Sequence, residues 1–188
     1  MYLRNGVSVM TKLSKLILMV IMSVLVLAIA GCGSSESDNF TGKWITKNPK
    51  TNVTVLDIQP KKDKQMVIKS DVYSYQDKIS KESRQRFSND IHIEYLNTLI
   101  KNSKNEEGHI NKNKLITEEA TYVYNEEEKT ITIDNVVYTK YTDDKEFNNK
   151  LQDLRPLKEQ EIKDRTKNDN MFTHYYDKFD YDDSVLNK

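Results

Sequence analysis

The stretch A-T-Y-V-Y-N-E-E-E-K-T-I-T-I-D-N-V-V-Y-T-K-Y, residues 120–141, alternates apolar and polar side chains and is interrupted twice by polar residues. A period of two sends successive side chains to opposite faces of a strand. Asp134 and Asn135 separate T-I-T-I from V-V-Y-T-K-Y, and both residue types tolerate the positive φ of a two-residue hairpin turn. That turn pairs Ile133 with Val136 and Ile131 with Tyr138, so these four share a face. Thr130, Thr132, Val137 and Thr139 take the other. One strand back, a two- or four-residue loop around residues 126–128 pairs Tyr122 with Ile131 and brings Ala120, Tyr122 and Tyr124 to the same apolar face. A slip of one residue would expose the whole set. Pattern and turn chemistry agree on a three-stranded antiparallel meander.

Toward the N-terminus the β signal continues. Residues 42–47 carry Trp44, and V-T-V-L-D-I at 53–58 follows the turn-rich N-P-K-T-N at 48–52. Residues 65–75 read as a third strand. Residues 76–90, with Ile79 and Phe87 the only large apolar side chains, read as a polar connection or a short helix over an open sheet end. Ile91, Ile93 and Tyr95 alternate strictly and start another strand, residues 102–108 (N-S-K-N-E-E-G) read as a break, and 109–116 as a weaker strand. Residues 40–141 are thus expected to form one mainly β domain with minor α content.

The tail, 142–188, differs. Phe147, Leu151 and Leu154 stand at helical i, i+4, i+7 spacing within 146–168. Glu146 with Lys150, Glu159 with Lys163 and Glu161 with Arg165 are i,i+4 pairs of the favourable orientation. Pro156 is expected to break or kink this helix. Beyond it, M-F-T-H-Y-Y-D-K-F-D-Y-D-D-S is aromatic and acidic. Two readings stand for it: a layer docked on the sheet, or a partner contact whose anchors are Phe172, Tyr175, Tyr176, Phe179 and Tyr181.

The N-terminal region has a different character. Lys12 and Lys15 precede fifteen uncharged residues, 16–30, apolar but for Ser23, which suit a signal-peptide core and fall short of a spanning helix. Met10 would give this signal a compact start. Ile29-Ala30-Gly31-Cys32 follows, with G-S-S-E-S-D-N at 33–39 as a tether. The motif resembles the lipobox of bacterial lipoproteins. The resemblance implies cleavage between Gly31 and Cys32 by signal peptidase II and a diacylglycerol on the Cys32 sulfur. Two acyl chains hold a protein stably at a membrane, where one does so only marginally. The expected organisation is a signal peptide (1–31), a lipidated cysteine and tether (32–39), the β-domain and the tail.

Charge narrows the partners. Of 29 basic and 29 acidic side chains, three basic ones and no acidic one fall in the first 31 residues, so the remainder carries 26 against 29. That balance lacks the basic excess of a nucleic-acid binder. Cys32 is the only cysteine, so no intramolecular disulfide or C-x-x-C site can form. His92, His109 and His174 lie in unrelated contexts, and His92 alternates out of phase with its apolar neighbours toward water. No nucleophile elbow, phosphate loop or metal-ligand spacing is present in the sequence; the acidic run Asp177, Asp180, Asp182, Asp183 lacks the glycine and terminal glutamate of a calcium loop. No catalytic residue, metal or cofactor is assigned.

Gly42-Lys43-Trp44 at the start of the first strand, ahead of an antiparallel meander, resembles lipocalins and related calycin barrels. The resemblance implies a tryptophan closing one barrel end and an interior that takes an apolar ligand, with Trp44, Tyr122, Tyr124 and Tyr138 near the cavity. The competing reading makes Trp44 a core aromatic of a small β-domain. The expected fold is therefore a small antiparallel meander or lipocalin-like barrel with a C-terminal charged helix. The expected role is a non-enzymatic binding or interaction module, lipid-anchored on the extracytoplasmic face of the cell membrane of a Gram-positive bacterium. Alternatives are a carrier of a small apolar ligand and an inhibitor or immunity protein acting on an envelope enzyme.

Overall fold

The computed structural model describes residues 36–62, 64–167 and 172–187. The assignments at Gly31 and Cys32, with the signal peptide before them, lie outside the described residues. Residues Glu36–Phe40, where the sequence suggested tether, form a short helix, α1.

From Gly42 the chain runs through eight strands that pair in sequence order. They are β1 (Gly42–Thr46), β2 (Val53–Pro60), β3 (Gln65–Arg84), β4 (Asp90–Asn111), β5 (Lys114–Thr117), β6 (Thr121–Asn125), β7 (Thr130–Ile133) and β8 (Val136–Lys140). Strand β8 returns to β1, with Trp44 opposite Lys140 and Thr46 opposite Tyr138. The result is a closed, antiparallel, up-and-down barrel, consistent with the lipocalin-like form expected. Helix α2 (Asp144–Thr166) follows, then a ninth strand, β9 (Thr173–Asp182), which adds to β4 in parallel outside the barrel. A 3₁₀ turn, Ser184–Asn187, ends the described chain.

The deciding hairpin forms as its turn chemistry requires. Asp134 and Asn135 both adopt positive φ (47° and 68°), and Ile133 pairs with Val136 and Ile131 with Tyr138. The preceding loop has four residues. Asn125 Oδ1 accepts from the backbone N–H groups of Glu127 and Glu128, and Lys129 closes the loop at φ 53°. This puts Tyr124, not Tyr122, opposite Ile131. The shift is two residues, which preserves the face, and Tyr122 and Tyr124 both point into the barrel core.

Two expectations about polar segments are overturned. Residues 76–84 are neither loop nor helix: β3 continues through them, paired with β4 from Gln65–His109 to Arg84–Ile91, with a bulge between Ile79 and Lys81. The polar residues 102–108 do not break the strand either, because Ser103, Lys104, Glu106 and Glu107 reach partners on neighbouring strands or loops. Ser103 donates to Asp71 at 2.6 Å, Lys104 pairs with Glu119, and Tyr122 donates to Glu106. Gly108 sits where the wall leaves no room for a side chain; a Cβ there would stand 2.8 Å from the Ile116 carbonyl oxygen.

The β3–β4 hairpin is therefore longer than the barrel. Strand β2 pairs with β3 only as far as Tyr73. Beyond that point β3 and β4 continue as an arm, to which β9 adds a third strand along Asp90–Thr98. Three apolar clusters follow. The barrel interior holds Phe40, Trp44, Leu56, Ile58, Met66, Ile68, Ile110, Leu115, Tyr122, Tyr124, Ile131 and Tyr138. The first half of α2 packs Leu151 and Leu154 against Ile45, Val53, Tyr75 and Leu99 outside the barrel. Ile162, two turns further on, packs on Ile91, Ile93 and Tyr95 of the arm. The helix is continuous through Pro156, which falls between the two packings.

Candidate functional site

Trp44, Tyr122, Tyr124 and Tyr138 meet inside the barrel with relative exposures of 0, 3, 6 and 7%. They belong to one packed cluster. The Trp44 indole N–H donates to the Phe40 carbonyl at 2.7 Å, and the Tyr124 ring lies edge-on at 6.3 Å. Burial, then the Glu106 carboxylate, push the Tyr122 hydroxyl's pKa strongly upward. An eight-stranded barrel is just wide enough for its own side chains to fill, and these four residues contribute to that filling.

An open cleft of about 610 Å³ lies on the outside of the wall. Alternation builds it: while Leu56, Ile58, Met66 and Ile68 point inward, Val55, Asp57, Lys69, Asp71 and Tyr73 point outward beside Lys43 and Lys101 of the neighbouring strands. Asp144, Phe147 and Asn148 from the first turns of α2 and residues 185–187 complete it. Asp143 caps that helix by accepting from the Lys145 N–H at 2.8 Å, which fixes where its first turn stands. Tyr73 and Phe147 meet edge-on at 4.8 Å to form an aromatic floor continuous with the packing under α2.

Charges of both signs rim this floor. Asp71 lies between Lys101 at 3.0 Å and Lys69 at 3.5 Å, and accepts from Ser103. Burial works to raise its pKa, but the Ser103 hydrogen bond and the two ammonium groups outweigh burial and hold it below 3.8. Lys101 also lies 5.6 Å from the Tyr73 ring centroid. Tyr141 donates to Asp144 at 2.9 Å; burial and that carboxylate push its hydroxyl up to about 12. Lys43 sits 5.9 Å from the Tyr141 ring centroid. With no ion-pair partner among the described residues, it is the cation left to meet a ligand. The arrangement suits a molecule with an apolar body and charges of both signs. None of the four barrel tyrosine and tryptophan positions lines this cleft.

The tail aromatics divide. Phe172, Tyr176 and Phe179 pack on the arm's core under α2. Tyr181 donates to the Arg155 carbonyl and to Glu159, with the Arg155 guanidinium 4.6 Å from its ring. Arg155 also bonds Asp183 at 2.6 Å, and Asp183 accepts from Tyr75 at 2.7 Å. Only Tyr175 is turned outward, 45% exposed, stacked on His92 at 5.0 Å; His92 in turn meets Asp177 at 3.0 Å. The docked reading of the tail thus describes four of the five proposed anchors, and Tyr175 alone has the exposure a partner needs. The docking is as a strand and a strap.

Among the described residues no group of three or more His, Cys, Asp or Glu is placed to hold a metal ion, and no helix is long and apolar enough to cross a membrane. Comparison with protein-family models, curated proteins and solved structures finds no match for this chain. The cleft residues escaped sequence reasoning. Their signal was present in Lys69, Asp71 and Tyr73, which alternate with Ile68 and Ser70, but such alternation marks any solvated barrel wall.

Proposed function

We propose that this chain is a lipid-anchored binding module of the extracytoplasmic membrane face, that it is not an enzyme, and that it receives its ligand in the cleft between α2 and the barrel. The observation that carries the binding reading is the contrast between a barrel interior occupied by its own side chains and an open outer cleft of about 610 Å³ with an aromatic floor and a lysine, Lys43, that has no ion-pair partner among the described residues. The anchor rests on the sequence, in which Lys12, Lys15, the apolar run 16–30 and Ile29-Ala30-Gly31-Cys32 stand in lipoprotein order. The ligand class that fits is a short, peptide-like molecule bearing both charges.

Two measurements test this. Replacing Cys32 with Ala is expected to abolish incorporation of labelled fatty acid and leave an unprocessed precursor; a mutant still trimmed before residue 32 contradicts the anchor. Native mass spectrometry of the mature protein against a peptide library is expected to give adducts that the Lys43→Glu, Tyr73→Ala double variant loses. Adducts retained by that variant place the ligand elsewhere.

A second reading, a carrier of a small apolar ligand bound near Trp44, Tyr122, Tyr124 and Tyr138, rests on the closed barrel alone and requires its packed interior to open. Long-chain fatty acids quenching Trp44 fluorescence in a saturable way would support it. Fluorescence indifferent to them would remove it.

A further inference from the structure

The arm has two free edges. Among the described residues, β3 pairs on one side with nothing beyond Tyr73, and on the other side β9 pairs only with β4. Such edges are templates for strand addition unless they are covered or charged. Both are charged, and with opposite sign. From residue 75 to the tip, the β3 edge carries Lys78, Lys81, Arg84 and Arg86 against two carboxylates, and β9 carries three aspartates against one lysine. Strand β9 is parallel to β4 and β4 antiparallel to β3, so a copy displaced along the sheet presents its β9 to β3 in antiparallel orientation.

The levels match as well. Lys78 and Asp180 both stand opposite Leu96, and Ile79 and Phe179 both stand opposite Tyr95. Both strands carry an irregularity at Glu94, between Ile79 and Lys81 in β3 and between Tyr176 and Lys178 in β9, so the two edges deviate at the same height. Ile79 is 44% exposed, an apolar side chain on an otherwise polar edge. The like-charged Lys81 and Lys178 share that level, and each is already balanced within its own chain, by Glu94 at 2.8 Å and by Asp180 at 2.9 Å.

We infer that the β3 edge of the arm binds the β9 edge of a second copy of this chain, joining the arms of successive copies into one continuous sheet. The contact is heterologous, since each copy uses a different edge, and such contacts propagate into chains or rings. The arm leaves the barrel beyond the β2 residue Val53, whereas Gly42 lies at the opposite end, level with Ile58 and Ile68. The lipid anchor proposed above lies ahead of Phe40 in the sequence. The pairing itself does not rest on that anchor.

The test is photo-crosslinking of the full chain in its membrane, with a benzophenone amino acid in place of Ile79. The expected result is a ladder of self-adducts whose crosslinked peptides map to residues 173–183. Lys78→Glu is expected to cut the adduct about fivefold, the worth of roughly 1 kcal/mol, and Asp180→Lys in the same chain to restore it. Adducts only with other proteins, or a yield indifferent to the charge reversal, would overturn the pairing. The Cys32→Ala chain is run beside it at raised concentration. Self-adducts that persist there while fatty-acid labelling is lost support the pairing independently of the anchor. Their absence from both chains overturns the pairing and leaves the anchored reading standing.

Discussion

Single positions in this molecule are set by what lies directly across a strand. Gly108 is the clearest case. A methyl group there meets Ile116 O at 2.8 Å and Leu115 Cδ1 and Thr117 Cγ2 at 2.9 Å. Gly108→Ala is therefore expected to destabilise by about 1–3 kcal/mol, the usual cost of overpacking, read from the denaturant midpoint. Ionisable residues give a second prediction. Asp71 and Asp77 have folded pKa values below 3.8, each because cations and hydrogen bonds outweigh burial. Their stabilising contribution is complete above the unfolded value and is lost as pH falls through the folded one. At the alkaline end Tyr75 and Tyr141 are raised to about 12, first by burial. The unfolded chain loses those protons near 10 while the folded one keeps them, so stability falls between pH 10 and 12. Denaturant midpoints at pH 3, 7 and 11 are expected to be highest at pH 7. At this scale the sequence was legible where residues speak to near neighbours, as at Asp134 and Asn135. It was silent at Gly108 and Asp71, whose reasons lie on other strands.

Elements were legible in proportion to how regular their periodicity stays. Helix α2 follows from Phe147, Leu151 and Leu154, and all three face the barrel packing. Strand β9 was hidden for a definite reason. His174 and Tyr176 follow one phase, the irregularity before Lys178 adds a residue, and Phe179 and Tyr181 resume in the other phase. A period of two interrupted by one residue looks like a random aromatic cluster. Residues 76–84 were hidden because, among the described residues, β4 alone pairs with them, and most of their side chains meet water. Two substitutions measure how the elements hold together. Leu154→Ala, at a side chain 2% exposed, is expected to cost about 2–5 kcal/mol. Asp77 bonds Lys158 at 2.8 Å and Arg165 at 2.7 Å, and the Lys158 side chain is 13% exposed. Asp77→Asn takes the less exposed of two carboxylates from that ammonium, leaving it Glu161 at 2.9 Å, removes the charge facing Arg165, and is expected to cost about 1–3 kcal/mol. Thermal denaturation of the two single mutants and the double mutant tests whether the helix is held as a unit, since contacts sharing one element are not additive.

For the whole molecule, the β class and the meander at the centre of the barrel could be read from residues 120–141, but closure could not. The strand that seals the barrel, β8 against β1, brings Trp44 opposite Lys140. Nothing local in either strand names the other. This seam also governs the order of assembly. The arm hairpin and the meander join residues close in the chain, whereas the seam must bring together segments about a hundred residues apart, a costly loop closure of the kind that slows β proteins into the millisecond-to-second range. The local hairpins are then expected to form first and the seam last. Stopped-flow refolding should show a late rise in Trp44 burial, slower than the growth of β-sheet circular dichroism. Until that moment the chain is a row of linked hairpins with both ends open, threadable through a narrow passage and unable to hold its shape.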